Sequence, residues 1–205
     1  MRNLPTEWTC PWRTVVYGLI FLSIVVPGNL FAQKGAIDKA HSSVTVRVYK
    51  SGLFSAFAHD HAIQARVASG EIDAASNSVQ LSFNATEMKV LDPGVGESER
   101  KEIEDTMKSD KVLDVAKFPT ISFTGTSPAP DASGRRQVTG TLQLHGASRQ
   151  ITVPVVFQNS KYTGSVTLKQ TDFGITPVKI GGGAVRVKDE IVVEFSIVPE
   201  SASNR

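Results

Sequence analysis

Apolar and polar residues alternate strictly in short blocks along most of this chain, and that period constrains its fold more than any other feature. In residues 41–50, HSSVTVRVYK, Val44, Val46 and Val48 share one parity, while Thr45, Arg47 and Tyr49 share the other. Successive side chains of a strand point to opposite faces, so such a block makes a strand with one apolar face; a helix would space its apolar residues by three or four. The pattern recurs at 78–86 (Val79, Leu81, Phe83), 120–126 (Ile121, Phe123) and 137–145 (Val138, Leu142 and Leu144 around Gly140). It continues at 150–158 (Ile151, Val153, Val155, Phe157), 162–170 (Val166, Leu168) and 190–198 (Ile191, Val193, Phe195, Ile197), with 62–73 as a less regular eighth strand. One-sided apolar strands of this length argue an antiparallel sheet.

The links between strands are short and rich in turn formers, as in DAASNS at 73–78, DASG at 131–134 and GAS at 146–148. Such links make a meander. Eight meandering strands with one apolar face close most economically into a barrel, which leaves no bare edge. The expected fold is therefore all-β, an eight-stranded antiparallel meander β-barrel. Pro154 falls mid-strand on the outer face, where its missing N–H predicts a bulge or a poorly paired spot. Between strands 3 and 4 the pattern breaks into PGVGESERKEIEDTMKSDKVLDVAKFP. Glu97 and Glu99 suit a helix start, Ile103 and Met107 lie four apart on one face, and a second turn follows around 112–115. A short helix with so narrow an apolar stripe can only cap something, such as a barrel mouth.

Residues 1–32 read as a secretory signal peptide. Arg2 and Arg13 precede TVVYGLIFLSIVV, an uncharged run too short to span a bilayer, and Ala32 offers a small residue for cleavage. Leu30 departs from the small residue usual at −3, and an uncleaved anchor is the alternative. The expectation is a periplasmic or secreted protein that starts near Gln33, with one domain over 36–200. The only cysteine, Cys10, lies within the signal, so the mature chain has neither a disulfide nor a thiolate. A net charge of +2 with no block of like charges argues against nucleic acid as a partner.

Two of the four histidines flank an aspartate in FAHDH, residues 57–61. His59 and His61 share parity with Ile63, Ala65 and Val67, so an unbroken strand turns both rings inward and Asp60 outward. Three readings stand open. FAHDH is a turn leading into a strand, with Asp60 bonding nearby backbone and the rings partly solvated; or the imidazoles form the polar end of a ligand cavity; or they begin a metal site. Zinc would need three or four ligands, and nothing in the sequence brings His41, His145 or Asp60 close. No Gly-x-Ser-x-Gly, His-Glu-x-x-His or phosphate-cradling loop is present, so no catalytic residue is assigned. The sequon Asn84-Ala85-Thr86 lies within an expected strand and reads as chance.

Four segments carry a resemblance. They are IDKAHSSVTV with Asp38, His41 and Ser42; VLDVAKFPTISFTG with Phe118, Pro119, Ile121 and Phe123; VTGTLQLHGASRQITVPV with Gly140, Leu142, His145, Gly146 and Arg149; and TDFGI with Asp172, Phe173 and Gly174. From about Ala36 to Val198 the chain resembles the YceI-like proteins, secreted bacterial lipid binders. The resemblance implies a lipocalin-like barrel whose apolar tunnel holds an isoprenoid chain, polyprenyl or quinone-like, with no chemistry and no cofactor. Gln170 departs from the basic residue that many relatives carry there. Parity and resemblance together nominate as ligand contacts Val44, Val46, Val48, Phe83, Ile121, Phe123, Leu142, Leu144 and Phe195 on strands. Phe54, Phe57, His59, His61, Met107, Phe118 and Phe173 complete the set. The partners expected are that lipid, a transient membrane contact and a homodimer. A histidine-dependent metal- or haem-associated periplasmic stress protein is the alternative, and a scaffold with a solid core is a third.

Overall fold

The computed structural model describes residues 34–51 and 60–200. One curled antiparallel sheet dominates it. Its segments are β1 (Lys34–Ala36), β2 (Ser43–Ser51), β3 (His61–Ala65), β4 (Val67–Asp73), β5 (Ser78–Asn84), β6 (Lys89–Val90), β7 (Thr120–Thr126), β8 (Arg135–Leu144), β9 (Ala147–Gln158), β10 (Lys161–Lys169), β11 (Lys179–Ile180) and β12 (Val185–Ile197). The helix α1 (Glu97–Lys108) interrupts them between β6 and β7. Across the sheet the order is β1-β4-β5-β7-β8-β9-β10-β12-β2-β3-β6, with β11 added to β12.

Twelve segments replace the eight strands expected, for two physical reasons. The expected strand at 62–73 divides at Arg66: β3 pairs with β2, while β4 pairs with β5 at the opposite end of the sheet. A register shift between Val67 and Ser69 marks a bulge beside this break, and bulges sharpen the bend of a strand. The other three segments, β1, β6 and β11, are two or three residues long, too short for a detectable alternation. The remaining strands fall within a few residues of their expected positions.

Pro154 sits in register opposite Gln137 on β8, but the β9–β10 ladder runs only from Lys161–Gln158 to Gly164–Val155. Pairing with β10 therefore stops one residue short of the proline, as its missing donor requires. The short 3₁₀ turn Gln170–Phe173 lies against β9, β10 and β12 just beyond.

The helix is held by its charges and by its inner stripe. Glu97 and Glu99 occupy the first turn and Lys108 the last, in keeping with the helix dipole. Glu104 accepts from Lys108 Nζ at 2.6 Å and from the Val90 amide at 3.2 Å, which ties α1 to β6. Met107 is buried and Ile103 packs against the same core. Asn84 Oδ1 caps the 3₁₀ turn Ala85–Glu87 by accepting from the amide and hydroxyl of Thr86, so the sequon residues form a local turn.

Glycine in the wall lets two phenyl rings lie close to the backbone. A Cβ on Gly140 would stand 2.6 Å from the Gly125 Cα and 2.7 Å from the Phe123 ring, and would also strike the Thr124 carbonyl. A Cβ on Gly164 would meet the Phe195 ring at 2.6 Å and the Pro154 carbonyl. No side chain fits at Gly140, because backbone atoms block it. Gly140→Ala is expected to lower stability by about 1–3 kcal/mol through overpacking. Urea unfolding checks this, and an unchanged midpoint would mean that the wall yields freely at this point.

Candidate functional site

The inner faces of the strands surround a cavity of about 570 Å³. That volume lies inside the range of about 300–1,000 Å³ usual for small-molecule sites. Its wall is built by the alternating residues. Val44, Val46 and Val48 come from β2, Phe83 from β5, Ile121 and Phe123 from β7, Leu142 and Leu144 from β8, and Phe195 from β12. Met107 and Ile103 of α1 close on it together with Val112 and Leu113, and Phe173 enters from the 3₁₀ turn.

Not every nominated residue is in that wall. Phe54, Phe57 and His59 lie outside the described residues. Phe118 does not line the cavity; its ring packs edge-on against His145, with centroids 4.9 Å apart, and close to the Gly146 Cα. His145 in turn lies 3.1 Å through Nδ1 from the Phe173 carbonyl oxygen. Phe118, His145 and Gly146 thus fasten the segment after α1 to the β8–β9 hairpin and to the 3₁₀ turn. Phe157 keeps the inward parity of Val153 and Val155 but sits at the end of β9, where the wall has ended. It is exposed and stacks on Tyr162 at 4.5 Å.

FAHDH resolves into two roles for its described residues. Asp60 is exposed and accepts the Lys50 amide at 3.0 Å, a local backbone bond. His61 turns inward and lines the cavity. Its Nδ1 lies 2.6 Å from Asp92 Oδ2, while Asp92 Oδ1 accepts the Ala62 amide at 2.8 Å. Asp92 is only 5% exposed, so this carboxylate is held almost wholly by His61 and Ala62. With Nδ1 engaged by this carboxylate, Nε2 is the ring nitrogen left for another partner. Sequence reading missed Asp92. It stands in LDPG, a turn signature, and is 31 residues from its partner.

Gln170 is a buried polar residue of the wall and spends its Nε2 donor on the Lys188 carbonyl at 2.8 Å. Next to it, Asp189 accepts from the amide and hydroxyl of Thr171. The Thr171 hydroxyl, followed by its amide, holds the Asp189 carboxyl below the usual carboxylate range. Among the described residues no three His, Cys, Asp or Glu side chains converge as metal ligands would.

Strand register gives the cavity its length. His61, Val48, Ile191 and Leu168 share one level across β3, β2, β12 and β10. Tyr162, also in the wall, lies six residues down β10 from Leu168, about 20 Å at strand rise. The cavity is long, apolar along its middle, and polar at both ends.

Comparison with known proteins matches residues 36–198 to the YceI-like domain. A UPF0312 protein of Shewanella denitrificans is 24% identical over 194 residues, covering 89% of this chain and 97% of the relative. A UPF0312 protein of Vibrio vulnificus is 25% identical over 182 residues, covering 80% and 88%. Among solved structures, Burkholderia cenocepacia BcnA superposes with a TM-score of 0.56 at 22% identity, covering 78% of this chain and 98% of that one. A polyisoprenoid-binding domain from Saccharophagus degradans, implicated in plant cell wall breakdown, gives 0.58 at 16% identity, covering 82% and 99%. At these identities the two structures establish a shared fold.

Asp92→Ala would strand both the Ala62 amide and the His61 Nδ1, at a cost of about 1–3 kcal/mol for unmade buried bonds. Asp92→Asn should cost less, since its amide oxygen still accepts from Ala62. Denaturant midpoints for the two variants check the order; equal midpoints would show that the Ala62 amide needs no acceptor.

Proposed function

Because the chain belongs to the YceI-like domain family, we propose that it binds one isoprenoid-type lipid inside a lipocalin-like barrel and carries it without chemical change. The observation that bears most weight is the long apolar cavity with His61 at one end. Apolar burial stabilises by about 25 cal/mol per Å², so an unbranched or isoprenoid tail along this wall supplies most of the affinity. The binding named for the Saccharophagus degradans domain, which has the same fold, points the same way.

The head group follows from the histidine. With Nδ1 engaged by Asp92, Nε2 is left for the ligand, and a hydroxyl, as in a prenol or a quinol, suits it because a hydroxyl can both donate and accept. The reading places the protein in the periplasm or outside the cell, delivered by the signal of residues 1–32, where a water-insoluble chain needs a carrier between membranes.

Native mass spectrometry of protein purified from its own host is the direct test. A co-purifying lipid is expected at one per chain. A stoichiometric metal or haem would overturn the reading in favour of a histidine-dependent metalloprotein.

Two substitutions probe the cavity itself. Leu144→Trp should block lipid uptake while the fold persists. Both native tryptophans, Trp8 and Trp12, precede residue 33, so the new indole would also report directly on occupancy. Uptake equal to that of the parent would remove the cavity from the function. Replacing Ile103 and Met107 together by serine should speed lipid release and leave strand content unaltered. Release at the parental rate would make α1 a bystander.

A further inference from the structure

The polar end opposite His61 contains an arginine for which the binding reading has no use. Arg136 lines the cavity at the start of β8, opposite Val155. Its guanidinium lies over the Tyr162 ring at 5.7 Å, and Ser127, Asn77 and Ser78 share this stretch of wall with Asp73. Arg136 forms no ion pair with any of the described carboxylates. Its Nε is shut from solvent and meets no acceptor, and its one hydrogen bond runs from Nη1 to Ser127 Oγ at a long 3.5 Å.

A guanidinium carries five N–H donors in a fixed fork that matches phosphate or carboxylate. Leaving such a donor buried and unmade is costly, and the cost disappears when an acceptor arrives. The Tyr162 ring attracts the cation through its π face, and Nε stays without an acceptor beside it. The two ends of the cavity are thus chemically unlike: an imidazole at His61, and a guanidinium with a free donor about 20 Å away by strand rise.

We propose that Arg136 forms a second recognition site, which takes the anionic group, phosphate or carboxylate, of an amphiphile whose chain lies in the cavity. Neutral chains place their hydroxyl at His61; anionic ones lie the other way round, with the charge at Arg136. The inference rests on the lipid-binding reading and adds to it an anion preference with its own residue.

Calorimetric titration of the purified protein with geranylgeraniol and with geranylgeranyl monophosphate tests both ideas separately. The parent should bind the monophosphate more tightly. Arg136→Gln should weaken monophosphate binding about 10- to 100-fold and leave the alcohol within about twofold. His61→Ala should do the reverse, weakening the alcohol alone. Arg136→Lys keeps the charge and should retain part of the preference, which provides a readout if the glutamine variant is unstable. Equal affinity of the parent for the two ligands, or parallel loss of both in Arg136→Gln, overturns the anion site while the binding reading stands. Failure to bind either ligand overturns both. A monophosphate preference tracking inorganic phosphate competition equally in parent and Arg136→Gln would place the anion elsewhere and also sink the proposal.

Discussion

The break in the backbone at Arg66 is the constraint on which the rest depends. One residue separates β3, paired at one end of the sheet, from β4, paired at the other, so the chain itself spans the two edges. No hairpin could do this. With the sheet curled, Val44, Val46 and Val48 line one space together with Phe83 and Phe123, and the apolar faces of the longer strands turn toward it. The short segments β1 and β6 then cover the outer sides of β4 and β3, so neither half of the broken strand is left as a long bare edge.

Enclosure does not by itself leave a hollow. Eight or so strands can be filled by their own side chains or can hold a ligand, and the choice lies with the size of what points inward. Here Gly140 and Gly164 stand in the wall at the points where Phe123 and Phe195 come closest to it. The rings lie over glycine, not over another side chain, and the space in front of them stays free. The hollow is a property of where glycine falls as much as of where valine and leucine fall.

The strands and their inward faces were legible because alternation is local. Each face declares itself within five to ten residues, and parity correctly turned His61 and Leu144 inward. Parity also assigned Phe157 to the interior, where it failed because a strand outlasts the wall it helps to build. Contacts between distant residues left no such trace. Asp92 reads as a turn residue until β6 brings it against His61, and Arg136 shares the parity of Val138 but, as an arginine beside a turn, passes for a solvated strand end. Phe118 shows the opposite error: a motif residue in an apolar segment that serves to fasten one hairpin, and touches no cavity. The family resemblance pointed to Phe118 and His145 without saying whether they line the cavity or fasten the hairpin.

Pro154 leaves a mark beyond its own position. Past Val155 and Gly164, β9 and β10 run on without a shared ladder, although β8 and β12 hold each of them firmly on the far side. Parting the two strands along that stretch breaks no backbone hydrogen bond between them. The sheet therefore has a seam, closed at its end by the turn Gln170–Phe173, whose Phe173 carbonyl meets His145 of the β8–β9 hairpin. Widening of the wall is cheapest along this line.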